Sequence, residues 1–320
     1  MATGITTEGG TWRKEGGAAK VNASPLGASI RGLFDFWTGA SPSIRQLLAV
    51  LSTGAVVNVD TLGPIASGLG DGFPVFAEGW DETDDKLLFF ANGQAQVQKY
   101  NGITWTAIAN PNPDWNATNG YPTGMFQHRA RMVAYGLRSA PHDVFLSLSA
   151  DHGNFKDVET FRQGVGPGIG DGIVGGISWR EQAFLFKRPI GLYMLDDADP
   201  SPANWTIAAV NKSIGISGPG CAIEVDNDVL IWATDGFFYS MNQVQNQGEK
   251  AATPILPLEM SEYLRNEINL DRLDLVQSIW YANKRQVHLA APAAGSSVNN
   301  RRIILDLLSG TEKVLQSRRD

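Results

Sequence analysis

The sequence is poor in cysteine, in charged residues and in long apolar runs. Its single cysteine, Cys221, excludes an intramolecular disulfide framework and fits assembly in a reducing compartment. Charged residues make up 18% of the chain, the net charge is −7 and the basic residues are scattered, so a basic patch that would grip nucleic acid is missing. No stretch reaches the roughly 18 apolar residues of a membrane-spanning helix, and the N-terminus lacks the apolar core of a secretion signal. We expect a soluble, unexported protein without a membrane span, in which Cys221 is a small buried residue.

Histidine is also scarce, and the motifs of metal and nucleophile chemistry are missing. The four histidines, His128, His142, His152 and His288, are far apart and lack the paired spacing of a metal site. We interpret them as residues of turns or of the rim of the fold. No Gly-x-Ser-x-Gly elbow, Walker loop or zinc-type motif occurs. The sequence therefore indicates no catalytic residue, no cofactor and no metal site.

One glycine-rich loop imitates a nucleotide-binding motif. Gly170, Gly172 and Gly175 satisfy the glycine fingerprint of a dinucleotide-binding loop. That motif works only where a strand enters the loop and a helix leaves it, because the pyrophosphate sits on the free N–H groups of the helix. Here a glycine-proline stretch precedes the loop and the alternating segment GISWREQAFLFK follows it. We therefore predict a crossing between two structural repeats and no nucleotide.

Glycine itself is abundant and punctuates a recurring hairpin pattern. The chain has 35 glycines, above the usual share of roughly 7%, and tight turns separate pairs of apolar runs. Residues 87–90 (LLFF), for example, lead through Asn92-Gly93 into residues 95–100, and Asn-Gly is typical of a type I′ turn. Six such hairpins cover most of the chain. Tails such as residues 102–108 and 203–210 supply fourth strands for two of them.

A further short strand candidate precedes each hairpin. These openings lie at residues 30–37, 73–78, 124–128, 173–179, 221–225 and 275–281. Their spacing of roughly 45 to 55 residues is typical of propeller blades with about four strands. The sequence predicts an all-β fold, a single β-propeller domain of about six blades over residues 1–320, with an N-terminal arm at residues 1–24.

One segment departs from the strand pattern. Residues 257–269 place Met260, Tyr263, Leu264, Glu267 and Ile268 at helical spacing after a proline. We predict one short helix inserted between the fifth and sixth blades, which covers a blade edge or the mouth of the propeller. Docking of a partner is the alternative role.

A turn in the middle of the chain resembles a known architectural motif. Ser149, Asp151, Gly153 and Phe155, in SADHGNF, resemble the Asp-box turn of sialidase-type propellers, Ser-x-Asp-x-Gly-x-x-aromatic. In that motif the aspartate caps backbone N–H groups of a turn and the aromatic fills the core of the blade. The resemblance favours a propeller and assigns these four residues an architectural role.

Acidic pairs and tryptophans leave a glycan-directed alternative open. Glycoside hydrolysis needs two carboxylates about 5 to 10 Å apart, and acidic pairs occur at Asp81-Glu82, Asp84-Asp85 and Asp196-Asp197. We interpret these pairs as solvated surface turns. The nine tryptophans lie mostly within or at the ends of predicted strands, so we interpret them as core residues before sugar platforms.

The N-terminal region and several later stretches resemble one family. The chain is similar to the tail nozzle proteins of short-tailed bacteriophages. The residues that carry the resemblance are Glu8-Gly9-Gly10, Trp12 to Gly17, Pro25-Leu26-Gly27 with Ile30 to Leu33, Phe186-Lys187 to Tyr193-Met194, Trp205, Gly215, Pro219, Asp228 to Trp232, Asp235-Gly236, Ile304 to Asp306 and Ser309-Gly310. They span nearly the whole chain as a pattern of strands and turns. The closing aromatic that often follows the last Ser-Gly is replaced by Thr311-Glu312-Lys313.

The resemblance implies a structural protein of the virion tail, assembled in the host cytoplasm. It implies a homo-oligomeric ring, a hexamer, below the adaptor and portal, which contacts adaptor, neck and other tail proteins. Such a ring forms a conduit that retains packaged DNA until ejection and lets it pass without sequence-specific binding. Low positive charge suits that role, because each phosphate contact would add affinity and friction. The alternative from another class is a propeller that binds or hydrolyses surface glycans.

Overall fold

Successive antiparallel sheets dominate the structure, a computed structural model that describes residues 5–8, 11–14, 26–39, 43–82, 86–157, 160–199, 201–248, 252–307 and 313–318. Six sheets follow one another along the sequence, and each is built from strands that are consecutive in the chain. Consecutive antiparallel sheets of about four strands are the blades of a β-propeller. The fold is mainly β, a six-bladed β-propeller with few short helices, as the sequence predicts.

The blades follow the predicted order, and their strands have the following bounds. Blade 1 contains β3 (Ile30–Trp37), β4 (Arg45–Leu51), β5 (Val56–Asn58) and β6 (Pro64–Ala66). Blade 2 contains β7 (Val75–Trp80), β8 (Lys86–Ala91), β9 (Gln98–Tyr100) and β10 (Trp105–Ala107). Blade 3 contains β11 (Gly124–His128), β12 (Arg131–Leu137), β13 (Ala140–Leu146) and β14 (Phe161–Gly164).

The second half of the chain forms the remaining blades. Blade 4 contains β15 (Gly172–Trp179), β16 (Gln182–Arg188), β17 (Leu192–Asp196) and β18 (Thr206–Asn211). Blade 5 has three strands among the described residues, β19 (Ala222–Val225), β20 (Asp228–Trp232) and β21 (Phe238–Ser240). Blade 6 contains β22 (Gln277–Tyr281), β23 (Gln286–Pro292), β24 (Asn299–Asp306) and β25 (Lys313–Arg318). A separate two-stranded sheet pairs β1 (Ile5–Glu8) with β2 (Thr11–Lys14); the rest of the predicted arm, residues 1–24, lies outside the described residues.

Two α-helices interrupt the strands in the described parts of the chain. Helix α2 (Leu258–Glu267) occupies most of the segment 257–269 and lies between blades 5 and 6 in the sequence. Leu264 and Ile268 are buried as the helical spacing predicts, but Tyr263 is 51% exposed and does not belong to the buried face. Helix α1 (Met241–Gln247) was not predicted, because its seven residues bury only Met241 and Val244.

The chain divides into two compact units. The first unit comprises Met1–Ala19, Phe186–Leu192 and Ala209–Asp320, and the second comprises Lys20–Leu185 and Tyr193–Ala208. In the second unit, β8 is buried on both faces. Leu87 and Phe89 belong to one core cluster, and Leu88 and Phe90 belong to another. A strand covered on both sides needs an uninterrupted apolar run, which explains the segment LLFF.

The turn after β8 differs from its prediction. A type I′ turn requires positive φ at both central residues, and here only Gly93 has one, at 74°. The Asn92 side chain instead accepts hydrogen bonds from the N–H groups of Gln94 (3.0 Å) and Ala95 (3.2 Å). The type I′ prediction is therefore wrong, because the asparagine caps a longer turn with its side chain.

The glycine-rich loop is a crossing between blades, as predicted. It connects β14 with β15, the last strand of blade 3 with the first strand of blade 4. Gly166, Gly168 and Gly170 have φ values of 45°, 85° and 66°, a region that L residues rarely adopt. The element that follows the loop is strand β15, so no helix N-terminus is placed to receive a phosphate.

Candidate functional site

The Asp-box-like turn connects the third and fourth strands of blade 3. The Asp151 carboxylate accepts a hydrogen bond from the Gly153 N–H at 3.3 Å, and Ser149 is exposed. Phe155 is 1% exposed and packs against Trp115, with ring centroids 4.6 Å apart. The aromatic follows Gly153 after one residue instead of two, which departs from the motif. In this turn, Asp151 fixes the backbone locally while Phe155 anchors it in the core.

The same turn carries a histidine that reaches the neighbouring blade. His152 is fully buried, its backbone N–H donates to the Trp80 carbonyl at 3.1 Å, and its ring Nδ1 accepts a hydrogen bond from the Trp80 backbone N–H at 3.3 Å. The imidazole also stacks on the Trp80 ring with centroids 4.2 Å apart. Burial lowers the pKa of His152 to about 4, and the Ala130 backbone carbonyl opposes that shift. His152 therefore joins blade 3 to the end of β7 in blade 2 as a neutral ring.

A second histidine of blade 3 lies in the next joint, the one between blades 3 and 4. His128 ends β11 and is 2% exposed; its Nδ1 lies 2.8 Å from Ser178 Oγ and its Nε2 lies 3.1 Å from Asp197 Oδ2. Arg129 approaches the same carboxylate at 3.2 Å. Burial lowers the pKa of His128, while Asp197 opposes this shift. Blade 4 supplies Ser178 and Asp197, so this network joins blades 3 and 4.

The connectivity of this network is that of a serine–histidine–carboxylate relay. A ring placed between a hydroxyl and a carboxylate can take a proton from the hydroxyl and be stabilised as a cation. Here His128 and Asp197 are buried and Ser178 is half-buried, in the contact between two blades. The arrangement explains the position of a buried histidine and carboxylate, which must be hydrogen-bonded.

These positions correct two expectations. His152 lies in a turn, as one of the two interpretations predicts, but His128 is neither a turn nor a rim residue, because it ends β11 and its ring is buried against blade 4. The Asp196-Asp197 pair is not a solvated turn as a whole, since Asp197 is 8% exposed and bonded to His128. Asp81 is paired with Lys99 at 3.5 Å, and Asp84-Asp85 lies outside the described residues.

Other candidate residues from the sequence lie apart from this network. His142 and His288 are half-buried in β13 and β23. Cys221 is 2% exposed, as predicted, and burial raises the pKa of its thiol to about 12. The tryptophans divide into two groups: Trp115, Trp179 and Trp232 are core residues, whereas Trp37 is 49% exposed. Within the described ranges, no group of three histidine, cysteine or acidic side chains is arranged to hold a metal ion.

Sequence reasoning missed the pairing of His128 with Ser178 and Asp197. The partners lie 50 and 69 residues away, so no local motif connects them. The available signal was the repeat itself: His128 and Ser178 are separated by about one blade and both lie near the end of the first strand of a blade. Aligning successive blades would have placed them side by side.

The two ends of the blades in the second unit are built differently. We call one end, with the turns between strands one and two and between strands three and four, the histidine end; it holds His152 and the His128 network. The glycine end holds the turns between strands two and three and the crossings to the next blade. There a Cβ on Gly54 would lie 2.5 Å from Gly70 N, and one on Gly70 would lie 2.7 Å from Gln94 Cβ. Neighbouring blades therefore meet there through bare backbone.

A cavity lies in the first unit. It measures about 880 Å³ and is lined by an apolar floor, which includes Leu230 and Leu307, and by polar groups from both blade 5 and blade 6. Asp226 and Arg285 form an ion pair at 2.8 Å on its wall. Asp228 accepts hydrogen bonds from the N–H groups of Val229 and Asn242, at 2.8 and 3.0 Å. The lining of the cavity thus combines a half-exposed ion pair with apolar side chains.

Comparisons with known proteins find only distant similarities. No family model matches the chain, and no curated protein matches it. Among solved structures, the chain is similar to the β-propeller domain of Cps50 (Swd1) from Myceliophteria thermophila, with 12% identity over 90% of this chain and 86% of that one and a TM-score of 0.46. The computationally designed Ika8 protein matches with 9% identity, 98% and 86% coverage and a TM-score of 0.46. The WD40 β-propeller domain of Doa1 matches with 9% identity, 84% and 78% coverage and a TM-score of 0.47. The sheet topology described above therefore carries the fold assignment.

None of the helices in the described residues is long and apolar enough to span a membrane.

Proposed function

We propose that the protein is a structural component of a bacteriophage tail, of the nozzle type, which acts through shape and subunit contacts without catalytic turnover. In this proposal about six copies form a ring below the adaptor and portal. The ring retains packaged DNA and later conducts it. The resemblance in the sequence carries the proposal, and its residues fall on strands of blades 1, 4, 5 and 6: Ile30 to Leu33 in β3, Phe186-Lys187 in β16, Asp228 to Trp232 in β20 and Ile304 to Asp306 in β24.

Charge pairing supports a surface that DNA passes without being held. At least nine arginine and lysine side chains in the described residues form ion pairs with carboxylates, among them Arg31 with Asp71 and Arg45 with Asp35. A cation that already has a carboxylate partner offers less to a phosphate. Fewer phosphate contacts mean weaker, less salt-dependent attraction to DNA.

Exposed apolar side chains at the histidine end support subunit contacts. Ile103, in the turn between β9 and β10, is 89% exposed, and Ile44, just before β4, is 57% exposed. Exposed apolar groups of this kind are typical of protein contact surfaces. In the proposed ring these two residues lie against a neighbouring subunit or tail protein.

The mass of the native assembly tests the proposal. We would purify the full chain alone and co-expressed with other tail proteins, and measure the mass by light scattering and direct imaging. A closed ring of about six copies bound to tail proteins is the expected result. A variant with Ile44→Asp and Ile103→Asp is expected to lose the ring, whereas a control with Thr106→Asp, also exposed, keeps it. A stable lone monomer that joins no ring under any of these conditions contradicts the proposal.

The runner-up is a propeller that binds or hydrolyses glycans, and the cavity of the first unit favours it. Asp226 and Arg285 are half-exposed on its wall and could contact hydroxyl groups of a sugar. Glycan-array binding and hydrolysis assays would test this candidate. Binding that is lost in Asp226→Asn, with a monomeric protein, would replace the nozzle proposal.

A further inference from the structure

The joint between blades 2 and 3 depends on one buried imidazole. The His152 backbone N–H donates to the Trp80 carbonyl, and the ring Nδ1 of His152 accepts a hydrogen bond from the Trp80 backbone N–H. Two hydrogen bonds therefore run in opposite directions between the same residues. Gly79 leaves the space for the ring, because a Cβ at that position would collide with Nδ1. The ring also lies 6.3 Å from the ring of Phe89, between centroids. The histidine is therefore enclosed and oriented by β7 and β8 of the neighbouring blade.

The direction of the Trp80 hydrogen bond fixes the protonation state of the ring. A backbone N–H can only donate, so Nδ1 must carry a lone pair and the proton of the neutral ring must lie on Nε2. A second proton on the ring would have to bind at Nδ1. Two N–H groups would then face each other across 3.3 Å, inside a site that excludes water.

Among the described residues, no charge around the ring compensates for that proton. The charged residues next to the packed elements are Asp151 in the same turn, Glu78 in β7, Asp81 after it, Lys86 at the start of β8 and Arg131 at the start of β12. Glu78 and Lys86 form an ion pair at 2.9 Å. Asp81 is paired with Lys99. None of these charges shifts the pKa of His152, which responds to burial and to the Ala130 backbone.

The histidine in the next joint provides an internal contrast. His128 Nε2 faces the carboxylate of Asp197 and Nδ1 faces the Ser178 hydroxyl, which can accept as well as donate. A doubly protonated His128 ring can therefore donate to both partners. Acid breaks the bond at His152 and leaves the bonds at His128 in place.

We propose that the joint between blades 2 and 3 is an acid-sensitive switch. A proton on Nδ1 of His152 removes the acceptor of the Trp80 N–H, places two donors face to face and releases the turn at residues 148–155 from β7. The joint between blades 3 and 4 stays closed under the same conditions. The proposal concerns the chain itself and does not depend on the tail function.

Histidine NMR of the full chain tests the protonation state directly. With only four histidines, carbon and nitrogen shifts distinguish the tautomers, and single His→Asn variants assign the signals. We expect His152 to be the Nε2–H tautomer at pH 7 and to take up its proton only together with loss of amide protection at residues 148–155. An Nδ1–H tautomer, or protonation near pH 6.5 with the turn still protected, overturns the proposal.

A substitution at His152 distinguishes the effect of protonating the ring from the effect of its packing contacts. In His152→Asn, the side-chain oxygen can replace Nδ1 as the acceptor for Trp80 but cannot be protonated. Between pH 7 and pH 4.5 we expect the wild type to lose about 5 °C more in Tm than this variant, while the control His142→Asn loses as much as the wild type. Equal losses in His152→Asn and wild type overturn the proposal. If His152→Asn does not fold, the NMR experiment on the wild type decides.

Discussion

At the glycine end of the second unit, blades meet through bare backbone, whereas at the histidine end they meet through polar side chains. Gly54 and Gly70 allow a distance that no Cβ would permit, so the contact is steric and independent of pH. His128, His152 and Asp197 use hydrogen bonds that depend on protonation and can be replaced by side chains of similar shape. Blades of this unit are thus held at the glycine end by close backbone packing and at the histidine end by side-chain hydrogen bonds.

The largest expected effect is steric and falls at the glycine end. Gly54→Ala places a Cβ 2.5 Å from Gly70 N at a residue whose φ is 74°, so both the backbone and its neighbour must move. We expect a loss of about 3 kcal/mol in the free energy of unfolding, measured by urea denaturation. Gly68→Ala is the matched control, because its φ is 76° with nothing within 4 Å of the added Cβ. The control should lose only about 1 kcal/mol. Equal losses would show that φ alone, and not the contact of Gly54 with the crossing at Gly70, sets the cost.

At the histidine end, the next largest effect comes from the carboxylate of Asp197. Asp197→Asn weakens the interaction with His128 and removes the ion pair with Arg129, at a cost of about 1 to 3 kcal/mol at pH 7. Without the opposing carboxylate, the pKa of His128 should fall further below its ordinary value, since burial and the Arg129 charge, which both lower it, are then unopposed. A histidine whose pKa is lower in the folded than in the unfolded protein binds its proton more readily after unfolding. Its contribution to stability is therefore present above the pKa of the unfolded state and is lost as the pH falls towards the pKa of the folded state. The variant, with the lower folded pKa, should lose more stability in acid than the wild type. Urea denaturation at pH 7 and pH 5 measures both effects; Asp196→Asn, next to it and exposed, is the control.

A smaller effect is expected where blades 1 and 2 meet. The Tyr100 hydroxyl lies 2.7 Å from Gln46 Oε1 and 2.8 Å from the Gly102 carbonyl. Tyr100→Phe keeps the ring and removes these bonds, so we expect a loss of about 1 kcal/mol in the free energy of unfolding. The loss should be the same at pH 7 and pH 5, since no group in this contact titrates there. A strong pH dependence would contradict the assignment of acid sensitivity to the joint that contains His152.

The smallest effect is expected within the Asp-box-like turn. Asp151 makes one local hydrogen bond of 3.3 Å, so Asp151→Ala should cost less than about 1 kcal/mol. Phe155→Leu at the same turn removes aromatic contacts with Trp115 and should cost more than Asp151→Ala. Calorimetry of the two variants ranks them. The reverse ranking would mean that the aspartate, and not the aromatic, holds the turn.

Strand positions were predictable because a blade strand is either apolar throughout, where both of its faces are covered, or alternates apolar and polar residues, where one face is covered. The first strand of blade 1 coincides with the predicted residues 30–37, and that of blade 3 with residues 124–128. Turn chemistry was less predictable: the Asn92-Gly93 pair formed a side-chain cap. Helix α1 carries too few apolar residues for a periodic signal, and Ser240, which caps it, lies at the end of a strand.

The candidate site was predictable only in part. The residues of the Asp-box-like turn lie within seven positions of one another, so a local pattern could find them. The contacts of His152 with Trp80 and of His128 with Asp197 span 72 and 69 residues and depend on how one blade is placed on the next. Whether a histidine or an aspartate is buried depends on how neighbouring blades pack, and amino-acid composition does not predict that packing.

The sequence separation of the residues in each joint of the second unit determines when that joint can form during synthesis. Every joint described connects a blade with the blade that follows it, so none waits for a distant part of the chain. At roughly 5 to 20 residues per second, the approximately 70 residues between Trp80 and His152 leave the ribosome in about 4 to 14 seconds. Each blade can therefore be secured to its predecessor soon after its third strand emerges, and the nascent chain exposes the apolar face of only its newest blade.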